Sequence, residues 1–384
     1  MGNVPNLRFP EFSGEWVTKS INDLAVVIGG GTPDTTVKSY WDGEIQWFTP
    51  SEIGKNKYVD SSLRTITEVG LNNSSAKLLP PNTILLSSRA TIGECSLSLR
   101  ECATNQGFQC LVSKKCNVDF LYYLIQTKKK DLIRKSCGST FLEISANEVR
   151  KIQVSVPSDV EQQKIAELLS LIDERIATQN KIIEDLKKLK SAIIHRCYSS
   201  QTNMIPLSEL LKQCSDRNRS GSDLQVLSVS NKYGFIAQSN QFEDREVASD
   251  DTSNYKVVKK GVFAYNPARI NVGSIALYEM DGNGIVSPMY VCFTTKSELL
   301  PSYLKYYFAS QTFKHEMYKR LEGSVRLCLT FEELCNIEIH LPSIEQQKNI
   351  SKYISKIENN LSLVDSIFSK YQQQRRYLLS QMFI

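Results

Sequence analysis

The sequence PSDVEQQK at residues 157–164 decides how the whole chain is organised, because a close copy, PSIEQQK, recurs at residues 342–348. After each copy, apolar side chains recur at a seven-residue spacing. The two series keep one register, because the interval from Ile165 to Ile350 equals the interval from Ile193 to Leu378. A seven-residue apolar repeat is typical of helices that pack in a coiled coil or bundle. The sequence therefore predicts two long helices that bury their stripes against each other.

The start of each long helix carries a capping signal. Ser158 precedes Glu161 by three residues, and Ser343 precedes Gln346 by the same interval. In a capping box, the hydroxyl and the later side chain satisfy each other's free backbone N–H groups. The first helix is predicted to run from about Glu161 to Tyr198, a length of roughly 55 Å.

The segments before the two helices are repeated as well. The sequence IQVSVP at residues 152–157 matches IEIHLP at residues 337–342, and ATIG at residues 90–93 matches INVG at residues 270–273. A repeat of about 185 residues is too long for a solenoid, so it predicts two similar globular domains related by a pseudo-two-fold axis. We call the spacing from Ile165 to Ile350 the repeat interval. The predicted boundaries are 1–157 for the first domain, 158–200 for the first long helix, 201–342 for the second domain and 343–384 for the second long helix.

Short alternating runs bounded by turn signals predict a mixed α/β (α+β) class for these domains. In the first domain the pattern predicts helices over residues 19–26 and 120–133, and strands over residues 45–48, 83–87, 94–99, 108–112 and 152–156.

The composition is that of an ordinary globular protein. Of 384 residues, 41% are hydrophobic and 23% are charged, and the formal net charge of +5 permits nucleic acid as a partner without requiring it. The ten cysteines form no Cys-x-x-Cys pair, and no signal peptide is evident, so we expect reduced thiols in a cytoplasmic protein. No apolar run approaches the ~20 residues that a membrane span needs, so no membrane partner is expected.

A search for catalytic chemistry finds no constellation that predicts an active site, a metal site or a cofactor. The glycines at residues 29–31 lack the spacing of a phosphate-binding loop and are interpreted as a turn. The sequence NPAR at residues 266–269 lacks the second proline and the aromatic residue of DNA amino-methyltransferases. His195, His315 and His340 lie far apart, with no nucleophile or acid assigned to any of them.

What remains is a set of polar and aromatic loop residues at comparable places in the two domains. Arg, Asn and Gln side chains can read base edges, while Lys and Ser can hold phosphates. The candidate DNA-binding residues are Lys38, Trp41, Lys55, Lys57, Ser87, Ser88, Arg89, Thr91, Asn105 and Gln106 in the first domain, and Arg217, Arg219, Asn231, Lys232, Tyr233, Arg269, Asn271 and Ser287 in the second.

These motifs, taken together and in order, resemble the specificity (S) subunits of type I restriction–modification systems along essentially the whole chain. The two PS…EQQK helix starts are the most specific marks. The others are GGGTP at residues 29–33, YWDG at 40–43, SRATIG at 88–93, TNQG at 104–107 and GSTF at 138–141, which matches GSVR at 323–326.

The resemblance implies two target-recognition domains and two long helices that form an antiparallel coiled coil. It implies a non-catalytic subunit that binds a bipartite site on double-stranded DNA, one half-site for each domain. It also implies partner chains that carry the catalysis: methyltransferase (modification) subunits, expected to number two, and ATP-dependent restriction subunits. The second domain lacks GGGTP and has SPM at residues 287–289 in place of NQG, as expected if the domains read different sequences.

Two other interpretations stay open at this point. One is a single-chain DNA methyltransferase or nuclease, which would need a cofactor or metal motif that the sequence does not display. The other is a coiled-coil scaffold with no role in DNA binding, which a salt-dependent binding assay would distinguish.

The repeat also supports three expectations about geometry. Arg89 and Arg269 each end a strand-like run just before an x-x-x-Gly turn, so both are expected to face DNA. Leu169 and Ile354 are among the apolar residues that widen the helix stripes, which suggests that further helices from modification subunits pack there. The first long helix is expected to act as a ruler for the unread spacer between the half-sites.

Overall fold

The structure is a computed structural model that describes residues 2–138, 142–200, 202–219, 224–238, 251–323 and 327–384. The chain divides into two compact units: unit 1 contains Met1–Asn180 and Ser366–Ile384, and unit 2 contains Lys181–Asp365. Most of the matched GSTF and GSVR motifs lies outside the described residues.

Unit 1 combines three antiparallel or mixed sheets with a buried central helix. Its strands are β1 (Val17–Ser20), β2 (Ala25–Gly29), β3 (Trp41–Phe48), β4 (Tyr58–Val59), β5 (Arg64–Ile66), β6 (Ile84–Leu86), β7 (Cys95–Ser98), β8 (Cys102–Thr104), β9 (Gln109–Ser113) and β10 (Gln153–Val156). Its helices are α1 (Ile21–Leu24), α2 (Glu68–Asn72), α3 (Val118–Thr127), α4 (Lys129–Arg134), α5 (Ala146–Arg150) and the long α6 (Asp159–Tyr198), whose last part belongs to unit 2.

The α3 helix organises the core of unit 1. Its residues from Phe120 to Ile125 are all buried, and they belong to one apolar cluster with Leu169 of α6 and Phe383 near the C-terminus. Burial of this much apolar surface is the main favourable contribution to folding. The cluster therefore joins the sheets of unit 1 to its part of the long helices.

Unit 2 is built in the same way. Its described strands are β11 (Met204–Pro206), β12 (Leu211–Cys214), β13 (Val226–Ser230), β14 (Gly234–Ala237), β15 (Lys256–Val258), β16 (Phe263–Tyr265), β17 (Ile275–Leu277), β18 (Gly284–Val286), β19 (Val291–Thr295) and β20 (Glu338–His340). Its described helices are α7 (Leu207–Leu210), α8 (Pro301–Phe308), α9 (Gln311–Lys319), α10 (Phe331–Cys335) and the long α11 (Ile344–Gln381), whose last part belongs to unit 1.

The strand order confirms the predicted duplication. Unit 1 has the order β2-β9-β6-β7-β4 in its largest sheet, and unit 2 has β12-β19-β16-β17. The second sheet has the order β5-β3-β8 in unit 1 and β14-β13-β18-β15 in unit 2, with β3/β8 and β13/β18 both parallel. The pairs β1/β10 and β11/β20 complete the correspondence, so the two mixed α/β units share one topology apart from the edge strands β4 and β15.

The two long helices run antiparallel within each unit, as expected. In unit 1, the Arg175 Nη1 group donates to the Tyr371 hydroxyl over 2.9 Å, so the first half of α6 lies beside the last part of α11. In unit 2, Lys190 and Glu358 form an ion pair of 2.6 Å between the last part of α6 and the first half of α11.

Two local predictions were wrong. Residues 19–26 form no continuous helix: the four-residue α1 lies between β1 and β2, because both flanking segments find strand partners, in β10 and β9. The predicted helix over residues 120–133 is interrupted at Lys128, which separates α3 from α4.

The capping boxes are only half confirmed. At α11, Ser343 and Gln346 satisfy each other's backbone N–H groups, as predicted. At α6, the Ser158 hydroxyl accepts from the Glu161 N–H group, but the Glu161 carboxylate bonds to Arg8 instead. The Glu161 carboxylate therefore pairs with a distant arginine instead of accepting from the Ser158 N–H group.

Part of each wide apolar stripe is buried within the units themselves. Leu169 is fully buried in the core of unit 1, and Ile354 is fully buried in the core of unit 2. Ile176, Leu361 and Phe368 are only partly buried, so the packing of further helices on the stripes stays a prediction.

Candidate nucleic-acid interface

The arginine loop of unit 1 comprises Arg89–Gly93 and follows β6. Ala90 and Gly93 adopt left-handed backbone angles, with φ of 54° and 86°, and this turns the chain sharply. The buried Ser87 hydroxyl donates to the Arg89 carbonyl over 2.8 Å and accepts from the Thr91 hydroxyl over 3.0 Å. Ser87 therefore supports the loop from inside, while Thr91 lies on its exposed side.

The Arg89 guanidinium forms an ion pair with Glu143 at 2.8 Å. The two side chains are 43% and 36% exposed, so the pair is accessible from solvent. An exposed pair of this kind contributes only about 0.2–1 kcal/mol, and another anion can exchange with Glu143 at low cost. Sequence reasoning missed Glu143 because it lies far from Arg89 along the chain, beyond both α3 and α4.

Two more loops meet the arginine loop in unit 1. The Gly31 N–H group donates to the Thr104 carbonyl over 2.8 Å, and the Ser88 N–H group donates to the Gly107 carbonyl over 2.8 Å. A Cβ atom at Gly30 would lie 2.0 Å from the Asn105 carbonyl oxygen, so this close approach requires glycine. The glycine-rich turn thus packs the loops together, and it places the Thr32 hydroxyl on the Gln106 side chain.

Ser88 and Asn105 have mainly local roles in this cluster. Ser88 is buried, and its hydroxyl forms no hydrogen bond in the described structure. The Asn105 side chain accepts from the Gly107 N–H group over 2.8 Å. Gln106, in contrast, is exposed at the surface of the cluster.

Trp41 lies inside unit 1 rather than on a loop surface. It is 7% exposed and packs edge-on against Trp47, with ring centroids 5.1 Å apart. The Arg64 guanidinium stacks on its ring at 3.6 Å from the centroid. Arg64 is exposed and had no signal in the sequence, so this cation–π contact is a site feature that only the fold reveals.

The three candidate lysines of unit 1 have different environments. Lys38 and Lys55 are exposed. The Lys57 side chain is only 7% exposed, and its ammonium pairs with Asp119 at 2.6 Å and donates to the Ser170 hydroxyl over 2.7 Å. Lys57 therefore ties the sheet of unit 1 to α3 and α6.

The arginine loop of unit 2, Arg269–Gly273, follows β16, the counterpart of β6. Gly273 has a φ of 91° and so matches Gly93. Arg269 is exposed and forms no ion pair with any described residue. The Asn271 carbonyl accepts from the Tyr318 hydroxyl over 3.3 Å, which fixes the loop backbone.

A hairpin turn lies beside this loop. A Cβ atom at Gly273 would be 3.4 Å from the Asn231 Cβ atom, so the turn at residues 231–233 and the arginine loop are in contact distance. Asn231, Lys232 and Tyr233 are all exposed, and the Lys232 ammonium lies 4.9 Å from the Tyr233 ring centroid. The structure thus brings several candidate residues of unit 2 together.

Arg217, Arg219 and Ser287 belong to a second group, around β15 and β18. Arg217 pairs with Lys256 of β15 in an isolated bridge and donates to the Asn254 side chain over 2.9 Å. Ser287 directly follows β18, which pairs with β15. Arg217 and Arg219 are exposed, whereas Ser287 is partly buried.

A repeated clamp holds the sheets of each unit to the long helices. In unit 1, the Asp173 carboxylate of α6 accepts from the Tyr123 hydroxyl over 2.7 Å and pairs with Arg375 of α11 at 2.5 Å. Burial and the nearby Asp173 charge raise the pKa of Tyr123, so it remains a donor. We call Tyr123, Asp173 and Arg375 the unit 1 clamp.

Unit 2 has a corresponding clamp. The Glu358 carboxylate accepts from the Tyr306 hydroxyl over 2.9 Å and pairs with Lys190 at 2.6 Å. Glu358 follows Asp173 by one repeat interval, and Arg375 follows Lys190 by the same interval. The repeat interval was visible in the sequence, but no sequence pattern predicted that these polar side chains contact each other. We call Tyr306, Glu358 and Lys190 the unit 2 clamp.

The described residues contain no cluster of three or more His, Cys, Asp or Glu side chains able to hold a metal ion. Burial raises the pKa of the Cys95 and Cys110 thiols to about 12, so these thiols stay protonated near neutral pH. No helix in the described parts of the chain is long and apolar enough to cross a membrane.

Comparison with known proteins identifies the family. A family model described as "Type I restriction modification DNA specificity domain" matches residues 13–188 and again residues 217–367, which together are most of the chain. The chain belongs to this family. The double match agrees with the duplicated topology of the two units.

Relatives in the specificity-domain family include two type I restriction enzyme specificity subunits. The MjaIX subunit of Methanocaldococcus jannaschii is 39% identical over 180 residues, which cover 46% of this chain and 42% of that protein. A specificity subunit of Escherichia coli is 31% identical over 190 residues, which cover 47% of this chain and 46% of that protein. The match therefore spans less than half the length of each of these curated relatives.

A solved structure shares the fold over the full length. The S subunit of a type I restriction–modification system from M. genitalium superposes with a TM-score of 0.63 and covers 99% of both chains, at 16% sequence identity. At this identity the similarity concerns the fold alone.

Proposed function

We propose that this chain is the DNA-recognition subunit of a type I restriction–modification complex. In this proposal it binds a bipartite site on double-stranded DNA, with one half-site for each recognition domain. The observation that carries the proposal is the pair of arginine loops, Arg89–Gly93 and Arg269–Gly273, which follow equivalent strands in a duplicated sheet. Family membership and the names of the relatives support the same function.

The recognition domains are proposed to cover residues 1–157 and 201–342, with the long helices at 158–200 and 343–384. Candidates with accessible side chains are proposed to contact DNA directly, because only they can reach base edges or phosphates without rearrangement. They are Lys38, Lys55, Arg89, Thr91, Gln106, Arg217, Arg219, Asn231, Lys232, Tyr233 and Arg269. Trp41, Lys57, Ser87, Ser88, Asn105, Asn271 and Ser287 are proposed to shape the loops that carry those contacts.

Catalysis is proposed to belong to other chains. Modification subunits, two for each copy of this chain, would methylate adenine with S-adenosylmethionine, and ATP-dependent restriction subunits would cleave DNA. This chain would select the DNA site and provide the surfaces on which those subunits assemble.

The test is a methylome comparison. Adenine methylation would be sequenced in cells that carry the modification subunit with this chain, without it, or with the double variant Arg89→Ala and Arg269→Ala. The proposal expects methylation at one bipartite motif only when the unaltered chain is present. Methylation that persists at the same motif without this chain would refute it.

A DNA-binding measurement on the purified complex distinguishes recognition from a scaffold role. Phosphate contacts make log K fall linearly with log salt concentration, with a slope of about −0.9 for each contact. A complex that binds its methylated motif with a slope near zero would contradict direct recognition by these loops.

A further inference from the structure

Unit 2 contains an open groove of about 660 Å³ between the end of α6 and the start of α11. We call it the unit 2 groove. Its lining includes Arg196, His340, Gln346, Asn349 and Tyr353. Arg196 is exposed, and Tyr353 is 63% exposed, a large value for an aromatic side chain on a helix that otherwise packs against its unit.

The equivalent place in unit 1 is filled by residues 3–16, which we call the N-terminal segment. Arg8 forms a buried ion pair with Glu161 of α6 at 2.7 Å, and the Trp16 indole N–H group donates to the same carboxylate over 3.3 Å. The rings of Phe9 and Phe12 lie 5.1 and 6.0 Å from the Lys164 ammonium.

Two further hydrogen bonds hold the N-terminal segment. The Ser155 hydroxyl donates to the Asn3 side-chain carbonyl over 2.7 Å. The Leu7 N–H group donates to the Gln381 carbonyl over 2.9 Å. The segment therefore lies across the start of α6 and the end of α11 as a bound peptide would.

The positions that hold this segment in unit 1 recur in unit 2, each displaced by one repeat interval. With the unit 1 residue given first, the counterparts are Ser155 and His340, Glu161 and Gln346, Lys164 and Asn349, and Gln381 and Arg196. All four counterparts in unit 2 line the groove. The unit 2 groove is thus the duplicate of a site that binds a peptide in unit 1.

The connection into unit 2 is too short to supply a second copy of the peptide. Only residues 199–203 connect α6 to β11, and five residues span at most about 18 Å. The N-terminal segment uses fourteen residues to cross its site. An occupant of the unit 2 groove therefore has to come from another segment than this connection.

The charged side chains of the two sites differ. The Lys164 ammonium of unit 1 pairs with Glu11 of the N-terminal segment, and unit 2 has the neutral Asn349 at that position. Unit 1 presents the Glu161 carboxylate, which is 1% exposed and satisfied by an arginine. Unit 2 has the neutral Gln346 at this position and gains the cation Arg196 where unit 1 has Gln381. A segment with Arg8 would meet a cation and lose its carboxylate partner, so a second copy of this chain's own N-terminal segment is disfavoured.

We propose that the unit 2 groove binds an extended segment of a partner protein that carries aromatic side chains and a carboxylate. The carboxylate pairs with Arg196, and an aromatic ring packs on Tyr353. This interaction is independent of DNA recognition by the arginine loops.

The test uses two fluorescein-labelled peptides and the full-length chain. One peptide has the sequence of residues 2–16, and the other carries Arg8→Glu. The Arg8→Glu peptide is expected to bind at least about threefold more tightly at low salt, as one exposed ion pair allows. The variant Arg196→Glu should reverse this preference, whereas the control Arg376→Glu, which removes an exposed arginine from α11 in unit 1, should preserve it.

Photo-crosslinking locates the binding site. A benzophenone side chain in place of Phe12 of the Arg8→Glu peptide should label residues 196–203 or 340–353, and Tyr353→Ala should reduce the labelling. Labels confined to residues 155–168 would mean that the peptide competes for the unit 1 site, and this would overturn the proposal. An absence of binding by the Arg8→Glu peptide, or a preference unaffected by Arg196→Glu, would overturn it as well.

Discussion

Units 1 and 2 correspond at the clamps that attach their sheets to the long helices, and they differ at their loops. Each clamp joins a tyrosine, a helix carboxylate and a cation, and the carboxylates and cations occupy positions one repeat interval apart. At the loops, Arg89 is paired with Glu143, whereas Arg269 has no ion pair among the described residues. The attachment to the helices is therefore repeated in the two units, while the loop surfaces differ.

The clamps themselves differ in burial. The Arg375 and Asp173 side chains are 22% and 15% exposed, whereas those of Lys190 and Glu358 are 28% and 32% exposed. The Arg375 guanidinium also donates to the Gln126 side chain over 2.9 Å, a contact that has no counterpart at Lys190 in the described structure. The unit 1 clamp should therefore be the stronger of the two.

The largest effect is expected from breaking the common register of the helices. Two residues inserted near Glu184 of α6 would rotate everything beyond them by about 200°, whereas four residues would nearly restore the stripe and add ~6 Å. The two-residue insertion should abolish assembly with the modification subunit, as measured by co-purification. The four-residue insertion should lengthen the unread spacer by one or two base pairs and leave both half-sites unchanged in the methylome. An unchanged spacer would rule out the helix as a ruler.

The next effect tests the difference in clamp burial. Arg375→Met should destabilise unit 1 by about 3 kcal/mol, because it leaves Asp173 mostly buried and unpaired. Lys190→Met should cost unit 2 only about 1 kcal/mol, since Glu358 remains partly hydrated. Hydrogen exchange of the α3 and α8 amides reports each unit separately. Adding Asp173→Asn to Arg375→Met should recover part of the loss, and equal losses in the two units would contradict the burial argument.

A smaller effect is expected from the arginine loops. Arg269→Ala should weaken binding of the complex to its motif by about 5- to 150-fold, the range for one lost bidentate base contact of ~1–3 kcal/mol. Arg89→Ala should cost less, because Arg89 must first exchange Glu143 for DNA. Binding isotherms at several salt concentrations measure both. If Arg89→Ala leaves affinity and salt slope unchanged, Arg89 does not contact DNA.

The smallest difference concerns the glycines that end these loops. Both Gly93 and Gly273 have left-handed φ angles, so alanine at either costs about 1–2 kcal/mol of backbone strain. Gly93→Ala should cost more, since its Cβ atom would lie 2.8 Å from the Lys129 side chain, against 3.4 Å from Asn231 at Gly273. Urea unfolding monitored by hydrogen exchange gives the loss of unfolding free energy for each substitution. A larger loss for Gly273→Ala would contradict this ranking.

Local sequence predicted the regular parts of the fold well. The strands predicted over residues 83–87, 94–99 and 108–112 correspond to β6, β7 and β9, and the long helices begin close to the predicted residues. It failed at residues 19–26, where pairing with β9 and β10 overrides a helical pattern. It also placed Trp41 and Lys57 on an interface, although distant partners bury both.

The sequence by itself determined the duplication, because two helix starts and two apolar stripes with one offset require two similar units. It also marked the arginine loops, since the glycine that ends each loop is a local backbone requirement. Only the tertiary structure decided that Glu161 binds Arg8, that Glu143 pairs with Arg89, and that the clamp residues meet. The partners in these contacts lie far apart along the chain, and their pairing depends on how the chain folds back on itself rather than on any local pattern.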